Sequence, residues 1–446
     1  MGTTPDGGAG QARAQLLHSL FSVRREERRP LILSFVYFFC VLAAYYVLRP
    51  IRDEMGVAGG VNHLPWLFLG TLSATLLVGP LFARLVARLP RRRFVAWAYR
   101  GLAVCLVAFA LALEVLPASM QVWTGRVFFV WLSVFAVFAV SLFWAVMADV
   151  FQAAQARRLY GLIGAGGTLG GLAGGLLTGW LVELVGTMPL LLVSAVLLEA
   201  ALRAMYALSG HVAERDGAQA RIEREIIGGS AWAGMSGVLR SRYLLAIALF
   251  MLLFTWGSAF LYLLQAEIVA REIVDRAART AYFARVDVWV NTLTLVVQLL
   301  LTGRLIERVG VGAVLIFLPL LSLAGFAALA AAPVLSLVIL LQVLRRTGDF
   351  ALSRPAREVL YVPLSREEKY KAKNFIDTFV FRFGDQLGAW SHAALAALGL
   401  SLGAIAGAAV PLSAAWLIVA VWLGRRHATL APVTTSAPCI HEGARP

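Results

Sequence analysis

Three groups of charged and polar residues lie where a strongly apolar chain has least reason to carry them. In the first long hydrophobic stretch, Tyr45, Arg49, Arg52, Asp53 and Gly56 recur at spacings of three and four, which sets them on one face of a helix. In the eighth stretch Asp287, Asn291, Thr294 and Gln298 repeat that spacing. The third group opens with Lys369, Lys371 and Lys373 and continues through Asn374, Asp377, Arg382 and Asp385, the last two close enough to pair. Those three lysines are the only ones in the chain, and every other basic position is Arg. An ammonium is a compact, strongly hydrated cation on a flexible stem, suited to meeting and releasing a polyanion, whereas a guanidinium grips in a fixed fork. Arg49, Arg52, Lys371, Lys373 and Arg382 outnumber Asp53, Asp377 and Asp385. Such an excess suits a multiply charged anion held in a partly desolvated cavity.

Each group also has a plainer reading. The first helix could end near Leu48, before Pro50, leaving its charges in outside water; alternatively it continues past a kink and turns them into a cavity. The Asp287 stripe could be a packed polar seam between helices, the lysines a solvated basic loop, and Arg100 a side chain that snorkels to the surface. Other chemistry has less support. Cys40, Cys105 and Cys439 form no spaced pairs, the six His show no helical ligand spacing, and no nucleophile has a neighbouring base. Neither an enzyme, a metal site nor a cofactor is expected, and no Walker sequence supplies nucleotide as fuel.

The elements that would position these residues follow from composition. Hydrophobic residues make up 60% of the 446 and charged residues 15%, against roughly 25% charged in soluble domains. Twelve apolar stretches of about 18 to 24 residues recur, each able to cross a hydrocarbon core roughly 30 Å thick. They fall near 31–57, 64–86, 94–116, 126–147, 160–184, 189–208, 243–266, 280–302, 311–331, 334–352, 374–397 and 402–423. Alternating ten-residue strands are absent, so the class is an all-α polytopic membrane protein rather than a barrel. The formal charge of +15 reads as topology and not as a nucleic-acid surface, because the basic residues cluster between spans. With both termini in the cytoplasm, most of the 40 Lys and Arg fall on that side, eight of them around the end of span ten. Only Arg49, Arg52, Arg126, Arg271, Arg276, Arg279 and Arg285 fall outside. The first span is read as retained, being too long for a signal peptide.

The longest connector divides the chain into a tail 1–30, a six-helix bundle 31–208, a cytoplasmic connector 209–242, a second bundle 243–424 and a tail 425–446. The turn Ala83-Arg84-Leu85-Val86-Ala87-Arg88-Leu89 after span two matches Gly303-Arg304-Leu305-Ile306-Glu307-Arg308-Val309 after span eight in the placing of both arginines. This six-plus-six layout resembles the major facilitator architecture, in which two repeats enclose a midplane cavity. Span five carries overlapping Gly-xxx-Gly spacings such as Gly167, Gly171 and Gly175, read as close helix packing rather than a phosphate loop, since no Lys-Ser or Lys-Thr follows.

At these residues the chain resembles the non-mitochondrial ATP/ADP exchangers of plastids and intracellular bacteria, the ADP,ATP carrier proteins. Tyr45, Leu48, Arg49, Arg52 and Asp53 look like the family's Asn-Tyr-x-x-Leu-Arg-x-x-Lys-Asp, with Ala44 and Arg52 replacing its Asn and Lys. Phe143-Trp144 and Ala156-Arg157-Arg158-Leu159-Tyr160 are similar to its Phe-Trp and Glu-Ala-Lys-Arg-Phe-Tyr, Gln155 standing for the Glu. The most specific block is Glu358, Tyr361-Val362-Pro363-Leu364, Lys369, Lys371, Lys373, Ile376-Asp377, Arg382, Gly384, Gly388 and Trp390. The resemblance implies a major-facilitator-like exchanger of anionic nucleotides, with Arg52, Lys371 and Lys373 facing phosphates.

The expected function is exchange of a nucleotide or related phosphorylated anion by alternating access. Its expected binding set is Tyr45, Arg49, Arg52, Asp53, Asp287, Asn291, Lys371, Lys373, Asp377, Arg382 and Asp385, with spans one, eight and eleven meeting around a cavity. The alternatives are a proton-coupled permease using Asp287 or Asp377, and a non-transporting interaction protein. A small anionic solute and the lipid of a bacterial inner membrane are the expected partners, with no nucleic acid and a monomeric chain.

Overall fold

Backbone in lipid must satisfy its own hydrogen bonds, and the described residues do so as helices, with no strand among them. The computed structural model describes residues 24–88, 91–151, 153–215, 238–364, 372–373 and 375–430. The N-terminal half comprises α1 (Arg28–Ala58), α2 (Leu64–Arg88), α3 (Arg91–Val115), α4 (Ala118–Val150), α5 (Ala153–Val185) and α6 (Thr187–Arg215). The C-terminal half begins with α7 (Arg242–Glu272) and α8 (Arg276–Val297), the latter running into a π turn at Gln298–Thr302. α9 (Gly303–Ala331) breaks at Gly310, whose φ of 83° needs a residue without Cβ. α10 starts as Leu335–Gly348, passes through a π turn at Asp349–Ser353 and ends as Arg354–Leu360. α11 combines a π turn at Ile376–Val380 with Phe381–Ala397, and α12 is Leu402–Leu430.

Ten of these helices are long and apolar enough to cross a membrane, against twelve spans expected from hydropathy. α10 and α11 fall short because of the charges they carry, Arg345, Arg346, Asp349 and Arg354 in α10 and Asp377, Arg382 and Asp385 in α11, and each also contains a π turn. The interruptions are locally satisfied. Gln298 and Thr302 of α8 donate to the Phe350 and Ala351 carbonyls of the α10 π turn at 3.2 and 2.8 Å.

The first helix continues past Pro50 to Ala58, so the reading that ended it near Leu48 is set aside. Pro50 has no N–H to offer the preceding turn, and the Thr178 hydroxyl of α5 donates to the nearby Val47 carbonyl at 3.2 Å. α5 lies against α1 through glycine. A Cβ on Gly166 or Gly174 would lie 2.7 or 2.5 Å from the carbonyl oxygens of Phe35 and Ala43, so the two backbones touch there. The next register meets side chains: Gly167 faces Phe38 of α1, Gly171 faces Tyr46 of α1 and Asn291 of α8, and Gly175 faces Val288 of α8, across the two halves. In the C-terminal half Gly384 and Gly388 of α11 bring it onto Thr255 and Trp256 of α7 in the same manner.

Just before α1, Glu27 is buried and ties the start of α1 to the start of α5, accepting from Gln155 Nε2 at 3.1 Å and Arg158 Nη2 at 2.9 Å. Burial alone would raise its pKa, but those bonds and one from the Arg24 backbone hold it below the ordinary 4.5. A depressed folded-state value adds stability that is complete above the unfolded pKa and disappears as pH falls through the folded one. Melting temperature should therefore drop on acidification below about pH 4.5, and Glu27→Gln, costing about 1 to 3 kcal/mol at neutral pH, should flatten that part of the profile. An unchanged acid limb in the variant would show that Glu27 is not the group responsible.

Candidate functional site

α1 and α8 meet at the junction of the halves, and the two polar faces read from the sequence meet there. Arg49 Nη1 donates to Asp287 Oδ1 at 2.7 Å, and Arg346 Nη1 of α10 donates to the same oxygen at 2.7 Å. One carboxylate thus serves two guanidiniums, one from each half. Asp287 is buried, while each arginine keeps 17% of its side chain exposed. The arrangement is incomplete: Asp287 Oδ2 and Arg346 Nη2 are buried without a hydrogen-bond partner among the described residues. Two positive charges against one negative leave a local cationic excess in a poorly solvated place, where a small anion with several oxygens would be held by charge-assisted bonds.

The rest of the α1 face is engaged in pairs. Arg52 grips its neighbour Asp53 at 2.6 Å and stacks over the Phe129 ring at 5.0 Å, and Asp53 also accepts from the Tyr262 hydroxyl of α7 at 3.1 Å. One residue further, Glu54 receives a two-pronged bond from Arg276 of α8 at 2.9 and 3.1 Å. Tyr46, and not Tyr45, lies under the Arg49 guanidinium, at 5.9 Å, with Tyr45 packed edge-on against it. Asn291 is buried, donates to the Asp287 carbonyl within its own helix and faces Gly171.

Further contacts across the halves are Phe68–Tyr262, Gln386–Pro65, Trp66–Trp390 and the Arg285–Glu183 pair at 3.6 Å. These contacts and the Glu54–Arg276 bond lie beyond Arg49–Asp287, toward the end of the bundle that carries the α1–α2 and α7–α8 connections. The halves are therefore in contact through these side chains at the end away from residues 24 and 430.

The described members of the third expected group pair among themselves or with α10. Lys373 donates to both carboxylate oxygens of Glu358 at 2.7 and 2.6 Å, bridging α10 and the approach to α11, and Asp377 is exposed nearby. Arg382 and Asp385 pair within α11, at 3.7 Å. Gly384 and Gly388 pack α11 onto α7, while its far end meets α2, and no hydrogen bond or ion pair joins Arg382 to α1 or α8 among the described residues. Lys371 lies outside the described residues, as do the side chains of the 83–89 turn.

The sequence reading missed Arg346 as a site residue because it counted Arg345 and Arg346 among cytoplasmic topology charges. Both fall within the apolar run 334–352, which was the available signal. Arg345 differs from its neighbour. It is 3% exposed and fully used inside the C-terminal half, bonding Ser322, Ser258 and the Phe254 carbonyl at 3.0, 2.8 and 2.8 Å.

Comparison with known proteins agrees with this architecture. The ADP,ATP carrier protein 1 of Chlamydia trachomatis serovar D is 23% identical over 91% of this chain and 88% of its own. The carrier protein 2 of the same organism and the carrier protein 1 of Chlamydia pneumoniae are 23% and 22% identical over 91% of this chain, and 90% and 91% of theirs. The resemblance read from the sequence holds. No family model matches the chain. Among solved structures, the nucleoside transporter NupG superposes with a TM-score of 0.58 at 15% identity, covering 91% of this chain and 99% of that one. The POT family transporter PepTSo does so with 0.60 at 13%, over 90% and 98%. The chain is thus similar in sequence to the ADP,ATP carriers and has a major-facilitator-like fold.

Proposed function

We propose that this protein exchanges a nucleotide or a related phosphorylated anion across a bacterial cytoplasmic membrane by alternating access, with both chain ends in the cytoplasm. The observation that carries the reading is Arg49 and Arg346, one from each half, sharing the single carboxylate of Asp287 at 2.7 Å each. A phosphate oxygen entering between the guanidiniums can take the place of that carboxylate, so binding loosens the bond that holds the halves together at this level. The relatives are named ADP,ATP carriers, which supports a nucleotide as the anion. The contacts between the halves at the end away from the termini correspond, in this reading, to a transporter open toward the cytoplasm. Tyr46, Arg52 and Asn291 lie at the same level, and Lys373 gives a cationic approach near the cytoplasmic mouth, a role in which Lys371 of the same lysine group is expected to share.

Uptake of labelled ATP into liposomes preloaded with ADP tests the role of that approach. Removing Lys371 or Lys373 should lower apparent affinity roughly ten- to a hundredfold if each ammonium meets phosphate. Lys373→Ala also frees the Glu358 carboxylate, so the Lys373→Ala/Glu358→Gln pair should recover part of the loss. Full activity in both single variants would reject the assigned role, and no uptake of ATP or any other phosphorylated anion by the wild type would reject the substrate class.

A further inference from the structure

On the flank of the C-terminal half, away from the junction, α7 and α12 leave a groove of about 280 Å³ walled by Leu245, Ala246, Leu249, Ile418, Val419 and Trp422. At its end Arg242 and Trp422 are shared with a second, more polar hollow of about 580 Å³ that also includes Arg426. Arg242 opens α7 and Arg426 lies in the last turns of α12, so both guanidiniums stand where the helices leave the apolar zone. Both are exposed, and neither has an acidic partner among the described residues. Leu249 lies seven residues beyond Arg242 and Ile418 eight before Arg426, which at 1.5 Å per residue sets the groove floor about 10 to 12 Å deeper than the charges. That depth fits within one leaflet of a core roughly 30 Å thick.

We infer that this flank is a binding site for an anionic phospholipid, with one acyl chain in the Leu245–Trp422 groove and the headgroup phosphate between Arg242 and Arg426. Charge complementarity selects the occupant. A zwitterionic lipid fills the groove equally well but gains less from two unpaired guanidiniums, and a free anion gains nothing from an apolar trough. Each basic residue near an anionic headgroup favours it about fivefold, so the pair should give roughly ten- to thirtyfold selectivity. The site shares no residue with the Arg49–Asp287–Arg346 cluster, and its test is independent of the transported substrate.

Trp422 is the reporter, because brominated acyl chains quench indole on contact. The full chain is reconstituted into vesicles of dibrominated phosphatidylglycerol or dibrominated phosphatidylcholine mixed with unbrominated phosphatidylcholine. Subtracting the signal of Trp422→Phe isolates Trp422 from the other indoles. Half-maximal quenching of that component should need about a tenfold smaller fraction of phosphatidylglycerol than of phosphatidylcholine. In Arg242→Gln/Arg426→Gln the two curves should coincide. Ala246→Phe, which fills the groove and keeps both charges, should lower quenching by both lipids. Equal quenching in the wild type, a preference that survives loss of both arginines, or a Trp422 shielded from both lipids by residues 431–446 or by a second copy would each overturn the assignment.

Discussion

Replacing Asp287 with Asn will tighten nucleotide binding about tenfold while slowing exchange at least tenfold. The carboxylate occupies the guanidiniums that the proposed substrate needs, with 2.7 Å bonds to Arg49 and Arg346. Each charge-assisted bond that an entering phosphate no longer has to displace is worth about 1.5 to 3 kcal/mol, or roughly ten- to a hundredfold in affinity. Turnover should suffer because the tie between halves must break and reform as the transporter reorients, and Asn provides no comparable anchor in the unloaded state. Arg49→Ala and Arg346→Ala should do the opposite to affinity, weakening it ten- to a hundredfold. Binding and exchange measured on the same preparations check this, with melting temperature as the control for folding. If Asp287→Asn weakened binding in a protein of unchanged stability, the carboxylate would be contacting substrate and not competing with it.

The second large effect separates two adjacent glycines. Gly174→Ala should destabilise the N-terminal half by about 1 to 3 kcal/mol, whereas Gly175→Ala should leave stability within about 0.5 kcal/mol and alter the exchange rate. A Cβ at Gly174 would come within 2.5 Å of the Ala43 carbonyl and 3.1 Å of the Val47 nitrogen, both backbone atoms of α1 that cannot move without shifting a whole helix. At Gly175 the nearest atom is a Val288 methyl carbon at 3.1 Å, on α8 of the other half, where a side chain can yield and where the surfaces must slide. Thermal melts in detergent and exchange in liposomes, run for both variants, read the two effects separately. Equal destabilisation of both would mean that the α5–α8 contact is as fixed as the α5–α1 contact.

The periodic features were legible in the sequence. Tyr45, Arg49, Arg52 and Asp53, and likewise Asp287 and Asn291, repeat at helical spacing within apolar runs, and that period fixes which face they share without any tertiary information. Gly167, Gly171 and Gly175 read as packing residues and do pack, but sequence spacing could not show that Gly166, Gly170 and Gly174 form a second stripe that meets the α1 backbone itself, where Gly167 and Gly171 meet α1 side chains and Gly175 meets α8. Arg346 was hidden for an electrostatic reason. A charge census treats a guanidinium near a span end as a topology signal, and it cannot separate one in the headgroup zone from one turned into the bundle. Gly384, Gly388 and Trp390, members of the most specific family-like block, turn out to hold α11 onto α7 and α2. That block is thus partly a packing pattern, and within it Arg382 pairs with Asp385 of its own helix. Gln155, where the family pattern has Glu, donates to the buried Glu27, and an acid there would set two carboxylates together.

Equilibrium binding of ATP and of adenosine to the purified protein tests the central claim most directly, because the two ligands share a base and ribose and differ in phosphate. Two charge-assisted bonds from Arg49 and Arg346 predict ATP tighter than adenosine by about a hundredfold or more, with most of that gap lost in Arg49→Ala/Arg346→Ala. Adenosine binding as tightly as ATP, or an ATP affinity untouched by removal of both arginines, would contradict it.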